Sequence, residues 1–262
     1  MSTEYPIEHG ARTGESIILL HGGNVGNWMW EPQVEGLVGR HLITPDVVGF
    51  GLRVSEPWRG LAAAADDIAG IIRERAVGGR AHVVGLSMGG VIGVHLAARH
   101  PDVVRSCLVT GAPMLGIGAV ERRIAGLQLA AWHRRWFWNA QAAAFRIPSD
   151  ARDLFVRTGM SVQKDTAVRM YREIFSGSMP SGPFRYDGPM LAIAGERESR
   201  SVAAAFPALR DAMPQTRTWV VPRMHHIWSI EDAELFTRTI VDFVDRDVVP
   251  PAPRTRPRPA HR

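Results

Sequence analysis

The stretch Ala81-His82-Val83-Val84-Gly85-Leu86-Ser87-Met88-Gly89-Gly90 runs from an apolar segment into a serine flanked by glycines. A small-residue pattern follows at once, with Gly90, Gly93 and Ala97 at helical spacing. This order predicts a strand that turns sharply into a helix, with Ser87 at the apex. Such a turn forces the apex residue into a strained backbone conformation and lifts its hydroxyl clear of the sheet. It also leaves no room for side chains two positions before and two after, and Gly85 and Gly89 stand there. The glycines and alanine beyond give the helix a smooth face for close packing on the strand.

The same alternation extends outward. Ser16 to Leu20 is a short apolar run ending in His21-Gly22-Gly23-Asn24, and a helix is expected from Trp28 to Leu37. Leu42 to Thr44 reads as the next strand, followed by the turn Pro45-Asp46-Val47-Val48-Gly49-Phe50-Gly51. Leu61, Ile68, Ile71 and Ile72 carry helical spacing over Leu61 to Ala76. Beyond the serine come strand Ser106 to Thr110, strand Met190 to Ala194, helix Val202 to Met213, strand Thr216 to Val221 and helix Ala233 to Phe243. Strands alternating with helices at this rhythm predict a parallel sheet covered on both faces. Working residues then gather at the carboxyl ends of the strands.

Between Ala112 and Asp187 the alternation stops. This stretch is helical in character and rich in aromatic residues and arginine. Leu129, Trp132 and Trp136 fall on one expected helical face. It reads as an insertion folded over the strand ends as a lid, with at least one tryptophan lining a pocket.

Composition narrows the functional classes. Hydrophobic residues make up 45% of the 262 and charged residues 22%, the balance of a water-soluble globular chain. No apolar run approaches the roughly 18 to 20 residues of a membrane span, and the first 16 residues are polar. No anchor, no membrane partner and a cytoplasmic location are the resulting expectations. The single cysteine, Cys107, sits in an apolar strand and reads as a buried inert thiol. The net charge is +5, but Arg254, Arg256, Arg258 and Arg262 all lie in the last nine residues, and without them it is +1. Nucleic-acid binding by the folded part is therefore not expected. The Pro/Arg-rich tail, residues 250–262, lacks apolar periodicity and is expected to be disordered.

A serine hydroxyl becomes a nucleophile when a base takes its proton, and an imidazole suits that task at neutral pH. The imidazole needs a carboxylate to hold its tautomer. The last third of the chain should supply both, each following a strand. In His21-Gly22-Gly23, Pro45-Asp46 with Gly49-Phe50-Gly51, Gly85 to Gly90, Ala194-Gly195-Glu196-Arg197-Glu198, and His226 followed by Glu231-Asp232, the chain resembles the α/β-hydrolase superfamily. The likeness covers nearly the whole chain apart from the tail, and its His21 to Trp30 segment looks most like the small esterase-like members.

The resemblance implies an α/β fold with a mostly parallel, doubly wound sheet. Its core would be residues 1–112 and 187–249, with a helical cap over residues 113–186. It implies Ser87 as nucleophile, His226 as base, five positions before an acidic residue, and Glu198 as acid. His225 is an alternative base and Glu196 an alternative acid. Backbone N–H groups of Gly23 and Met88 would form the oxyanion hole. Asn24, Trp28, Trp132 and Trp136 are the expected pocket side chains. Relatives that form alkyl-enzymes need a carboxylate at position 87, so Ser87 favours acyl transfer. No spacing suits a metal or a dinucleotide, and no cofactor is expected. The implied activity is hydrolysis of an ester, lactone or thioester of a small, largely apolar carboxylic acid. A carbon–carbon hydrolase, acyltransferase or lyase would use the same site, and a non-catalytic ligand-binding protein is the reading from another class.

One expectation rests on composition alone. Deleting residues 250–262 should leave the melting temperature within about two degrees and ester turnover unchanged, because nothing apolar in the tail is available to dock. A loss of several degrees in a thermal scan would show that the tail packs on the body.

Overall fold

The computed structural model describes Tyr5 and residues 7–248. The Pro/Arg-rich tail lies outside the described residues. Among these, one sheet holds seven strands: β1 (Ile7–His9), β2 (Ser16–Leu20), β3 (His41–Thr44), β4 (Ala81–Leu86), β5 (Val104–Thr110), β6 (Met190–Gly195) and β7 (Thr216–Val221). Their order is β1-β3-β2-β4-β5-β6-β7, all parallel except β1, which runs antiparallel to β3. Strands β2 and β4 are buried along their whole length, as expected where helices cover both faces. The short β1 was not expected from its polar composition. It forms because the edge of β3 offers a ladder, with Ile7 opposite Thr44 and His9 opposite Leu42.

The helices follow the strands: α1 (Glu31–Gly36), α2 (Leu61–Arg75), α3 (Met88–Arg99), α4 (Ala119–Ala130), α5 (Arg135–Ala144), α6 (Arg152–Ser161), α7 (Lys164–Phe175), α8 (Arg200–Ala204), α9 (Phe206–Ala212), α10 (Trp228–Glu231) and α11 (Ala233–Arg246). Two helix pairs flank the sheet, α2 with α3 and α1 with α11. Every residue of α3 from Met88 to Ala97 is buried, so this helix is covered on all sides up to its last turn. By contrast α11 is amphipathic, burying Phe236, Ile240 and Phe243 while Asp232 caps its first turn through the Leu235 N–H. The single helix expected over Val202 to Met213 is two, because Pro207 lacks the N–H that would continue the first. Cys107 is fully buried, and burial pushes its thiol up to about 12.

The sheet order reverses between β2 and β4: from β2 the chain crosses outward to β3, and from β4 it builds the other way through β5 to β7. A crevice opens outside the carboxyl ends of the strands at such a switch point. There the helix after β4 presses on the end of β2. A Cβ placed on Gly89 would lie 2.1 Å from the Leu20 carbonyl oxygen, and one on Gly85 2.3 Å from that of Gly89. Helices α4 to α7 form the insertion between β5 and β6. It is tied to the body by Glu173, which accepts from the Leu61 N–H at 2.9 Å and the Trp58 indole at 3.3 Å. His95 of α3, whose Nε2 lies 2.8 Å from the Ser178 carbonyl, adds a second tie. No described helix is long and apolar enough to cross a membrane.

The close approach can be tested against an open position on the same fold. Gly89→Ala should destabilise the protein by about 3 kcal/mol or prevent soluble expression. Gly70→Ala, on exposed helix surface with nothing within 4 Å, should stabilise by up to about 1 kcal/mol. Urea unfolding of both variants reads the difference, and a tolerated Gly89→Ala would contradict the packing described.

Candidate active site

Ser87 occupies the apex of the β4–α3 turn with φ 56° and ψ −117°. A positive φ is costly for a serine and persists because the surroundings fix it. The Ser87 N–H donates to the Thr110 carbonyl at 2.8 Å, and its carbonyl accepts from Val91, the first bond of the helix. Met88 follows as the first residue of α3, where N–H groups have no partner within the helix.

The loop after β2 lies against this turn. A Cβ on Gly22 would be 3.5 Å from that of Ser87. The loop is held from beneath by His21, which is fully buried. Its Nδ1 donates to the Gly22 carbonyl at 2.7 Å, and its Nε2 accepts from the Val47 N–H at 2.9 Å. Both ring nitrogens are occupied by backbone, so His21 is a structural histidine. Asp46, also fully buried, accepts from the N–H groups of Asn27 and Leu52 and stands 3.6 Å from the His21 ring.

From the far side of the sheet, Glu198 reaches in after β6. Its Oε1 accepts from the Gly195 N–H at 2.6 Å, and its Oε2 lies 2.7 Å from His226 Nδ1. The carboxylate side chain is only 1% exposed. Gly111, at φ 65°, lets the imidazole approach, since a Cβ there would sit 2.8 Å from His226 Cε1. Phe145 packs on the same ring at 5.9 Å between centroids, and Trp228 anchors the loop by donating to Thr110 Oγ1 at 2.8 Å. The alternatives lie elsewhere. His225 is held by Glu231, which accepts from its N–H and faces its Nδ1, both at 2.9 Å. Glu196 is exposed and accepts from the Arg223 N–H.

Ser87, His226, Glu198, Gly23 and Met88 line one cavity of about 480 Å³. Of the expected pocket side chains, Asn24 lines it as well. Trp28, Trp132 and Trp136 do not. The helix assumed to align Leu129, Trp132 and Trp136 breaks between Ala130 and Arg135. Trp132 is instead buried in the insertion, donating to the Val162 carbonyl at 3.0 Å, and Trp136 is 66% exposed. Trp28 packs partly buried against the core. Trp138, Phe145, Phe155 and Tyr171 are among the side chains the insertion adds to the wall. No spacing signal distinguished these from their neighbours, because the turn at residues 131–134 resets the helical phase. Among the described residues no cluster of three or more His, Cys, Asp or Glu side chains could hold a metal ion.

The constellation presents a hydroxyl, an imidazole oriented by a buried carboxylate, and backbone N–H groups around one cavity. The model of the "Alpha/beta hydrolase family" matches residues 17–239. The 2-(acetamidomethylene)succinate hydrolase of Mesorhizobium japonicum is 30% identical over 251 residues, covering 89% of this chain and 89% of that enzyme. An AB hydrolase superfamily protein of Gibberella zeae is 38% identical over 100 residues, which are 37% of this chain and span only 36% of that protein. Among solved structures, the enol-lactonase from Burkholderia xenovorans LB400 superposes with a TM-score of 0.71 at 26% identity, covering 90% of this chain and 94% of that one.

Two buried histidines, His21 under the loop after β2 and His95 on α3, make stability depend on pH. Burial pushes His21 below its ordinary range against the pull of Asp46, and burial does the same to His95 against its bond to Ser178. The unfolded chain takes up these protons below about pH 6.5, the folded chain only at lower pH. Their contribution is therefore complete above that value and is lost as pH falls through the folded values. Urea midpoints should decline from pH 7 to pH 5. His95→Gln should flatten the decline by up to about 1.4 kcal/mol per pH unit, one proton's worth. Equal slopes in wild type and variant would remove His95 from the account.

Proposed function

The chain belongs to the alpha/beta hydrolase family, and on that premise we propose that it is a serine hydrolase. It cleaves an ester, lactone or thioester of a small, largely apolar carboxylic acid. The observation that carries the reading is the Glu198–His226 contact at 2.7 Å, in the same cavity as a serine held at φ 56°. Nδ1 of His226 is committed to Glu198, which leaves Nε2 as the base. Ser87 Oγ attacks the acyl carbon and its proton passes to Nε2. The negative charge on the former carbonyl oxygen is met by the N–H groups of Gly23 and Met88, each worth about 3 kcal/mol in the transition state. The leaving oxygen or sulfur takes the proton from Nε2, and an ester of Ser87 remains. Water then gives a proton to Nε2 and its oxygen to the acyl carbon. Collapse of that intermediate returns the proton to Ser87 Oγ and frees the acid.

The substrate class follows from the wall. Val25, Met29, Phe155, Met170 and Ile174 surround the acyl position with apolar surface, and about 480 Å³ suits a small acid. Residues 113–186 act as a cap, since Phe145 of this insertion rests on His226 and Tyr171 closes on Asn24.

Ser87→Ala should lower kcat/KM on an activated aryl ester by about 10⁴ or more, and an active-site phosphonate should label Ser87 alone. His226→Ala should match it, with His225→Ala milder. Glu198→Gln should lose up to about 10⁴ through the wrong imidazole tautomer, with Glu196→Gln close to wild type. Retention of more than about one part in a hundred by the serine variant would sink the nucleophile assignment.

A further inference from the structure

Among the polar side chains of the cavity with no part in the acyl transfer above, two are bonded to each other. Asn24 follows directly on Gly23, and Tyr171 comes from α7 of the insertion. The Asn24 Nδ2 donates to the Tyr171 hydroxyl at 2.6 Å. Asn24 is only 7% exposed, yet its Oδ1 has no hydrogen-bond partner among the described residues. A buried amide oxygen left without a partner costs about 1–3 kcal/mol. Its backbone is also strained, at φ 66°, a conformation that asparagine tolerates better than most residues. Tyr171 is held from both sides, stacked on Phe175 at 4.9 Å and edge-on to Trp132 at 6.0 Å. The pair is therefore rigid, and it sits one residue from the proposed oxyanion donor.

Its hydrogen-bonding capacity can be counted. With Nδ2 donating one hydrogen to the phenol oxygen, the pair still has Asn24 Oδ1 to accept, and the second Nδ2 hydrogen and the Tyr171 proton to donate. Exchanging the two ends of the amide makes the phenol donate to Oδ1, and the pair then offers Nδ2 as donor and the phenol oxygen as acceptor. Either way at least one donor and one acceptor are left over in the wall. A carbonyl, an ether or a carboxylate only accepts, and would leave one of the two unmet. A hydroxyl both donates and accepts.

We propose that the Asn24–Tyr171 pair is a specificity site for a hydroxyl group on the acyl chain, so that the preferred substrates are esters or lactones of hydroxy acids. This rests on the serine-hydrolase reading and narrows its substrate. The hydroxyl bridges Asn24 and Tyr171 while the ester carbonyl faces Gly23 and Met88, and the rest of the chain lies on the apolar wall. An unsubstituted acyl group fits the cavity but leaves the pair without its partner.

Aryl esters of hexanoic acid and of its 2-hydroxy, 3-hydroxy, 2-methoxy and 3-methoxy derivatives test this directly. For the wild type, kcat/KM on one of the two hydroxy esters should exceed that on the unsubstituted ester by about tenfold or more. The corresponding methoxy ester, which accepts but cannot donate, should lose that advantage. In Asn24→Gly, where glycine accepts the positive φ, and in Tyr171→Phe, which keeps the ring, the ratio should fall to within about twofold of one, whatever happens to the absolute rates. Binding of the intact esters to Ser87→Ala by calorimetry should rank them in the same order without turnover. A wild-type ratio near one for both hydroxy esters, with equal binding to Ser87→Ala, overturns the proposal. So does a preference that survives in both variants. Failure of the wild type to hydrolyse any of the esters would count against the serine-hydrolase reading, and the binding order would still decide this one.

Discussion

The structure depends on how closely three backbone segments meet at the head of α3. With room for no Cβ at Gly89 against Leu20, nor at Gly85 against Gly89, strand, turn and helix lock into one geometry. Ser87 has no relaxed conformation available there and is held at positive φ. The same contact draws the end of β2 to the turn, so the loop carrying Gly23 and Asn24 lies beside the serine. The reversal of strand order between β2 and β4 opens the space above them. A single steric constraint thus sets the position of the hydroxyl, of its neighbouring backbone donors and of the cavity.

A second constraint separates two adjacent histidines. Each imidazole has its own carboxylate, Glu198 for His226 and Glu231 for His225. Burial works against ionisation of Glu231, but hydrogen bonds from the His225 backbone and ring prevail and hold its carboxyl below the usual range. Arg146 of the insertion stands 3.5 Å from Glu231, and Phe145 before it covers the His226 ring. The end of α5 therefore touches both members of the pair. Any shift of the insertion at that point is felt by the loop that carries the candidate base, a coupling through direct contact rather than through the sheet.

The insertion also contributes one half of the polar pair in the wall. Tyr171 reaches Asn24 across 147 positions of sequence. Glu173, two residues on, fastens the same helix to the start of α2. One helix thus both docks the insertion on the body and completes a polar pair inside the cavity, which makes the shape of the pocket inseparable from the docking.

Much of this was legible in the order of residues. Glu198 and His226 were singled out only by the likeness to a family, while the strand–turn–helix at Ser87 and the buried strands follow from local rules, periodicity and glycine at points of close approach. Such features depend on a few neighbouring residues and so are written in short stretches. That a tryptophan of the insertion lines the cavity was legible, but which one was not: it is Trp138. Trp132 and Trp136 are four apart, yet Trp132 lies buried in the turn between α4 and α5 while Trp136 is exposed on α5. Strand β1 exists only because β3 offers an edge, and the pairing of His225 with Glu231 only because α10 brings them together. Sequence by itself determined the fold class and which side chains could do chemistry. Tertiary packing alone decided which of them meet in the cavity, because contacts between distant segments depend on how whole helices dock, and no short stretch encodes that.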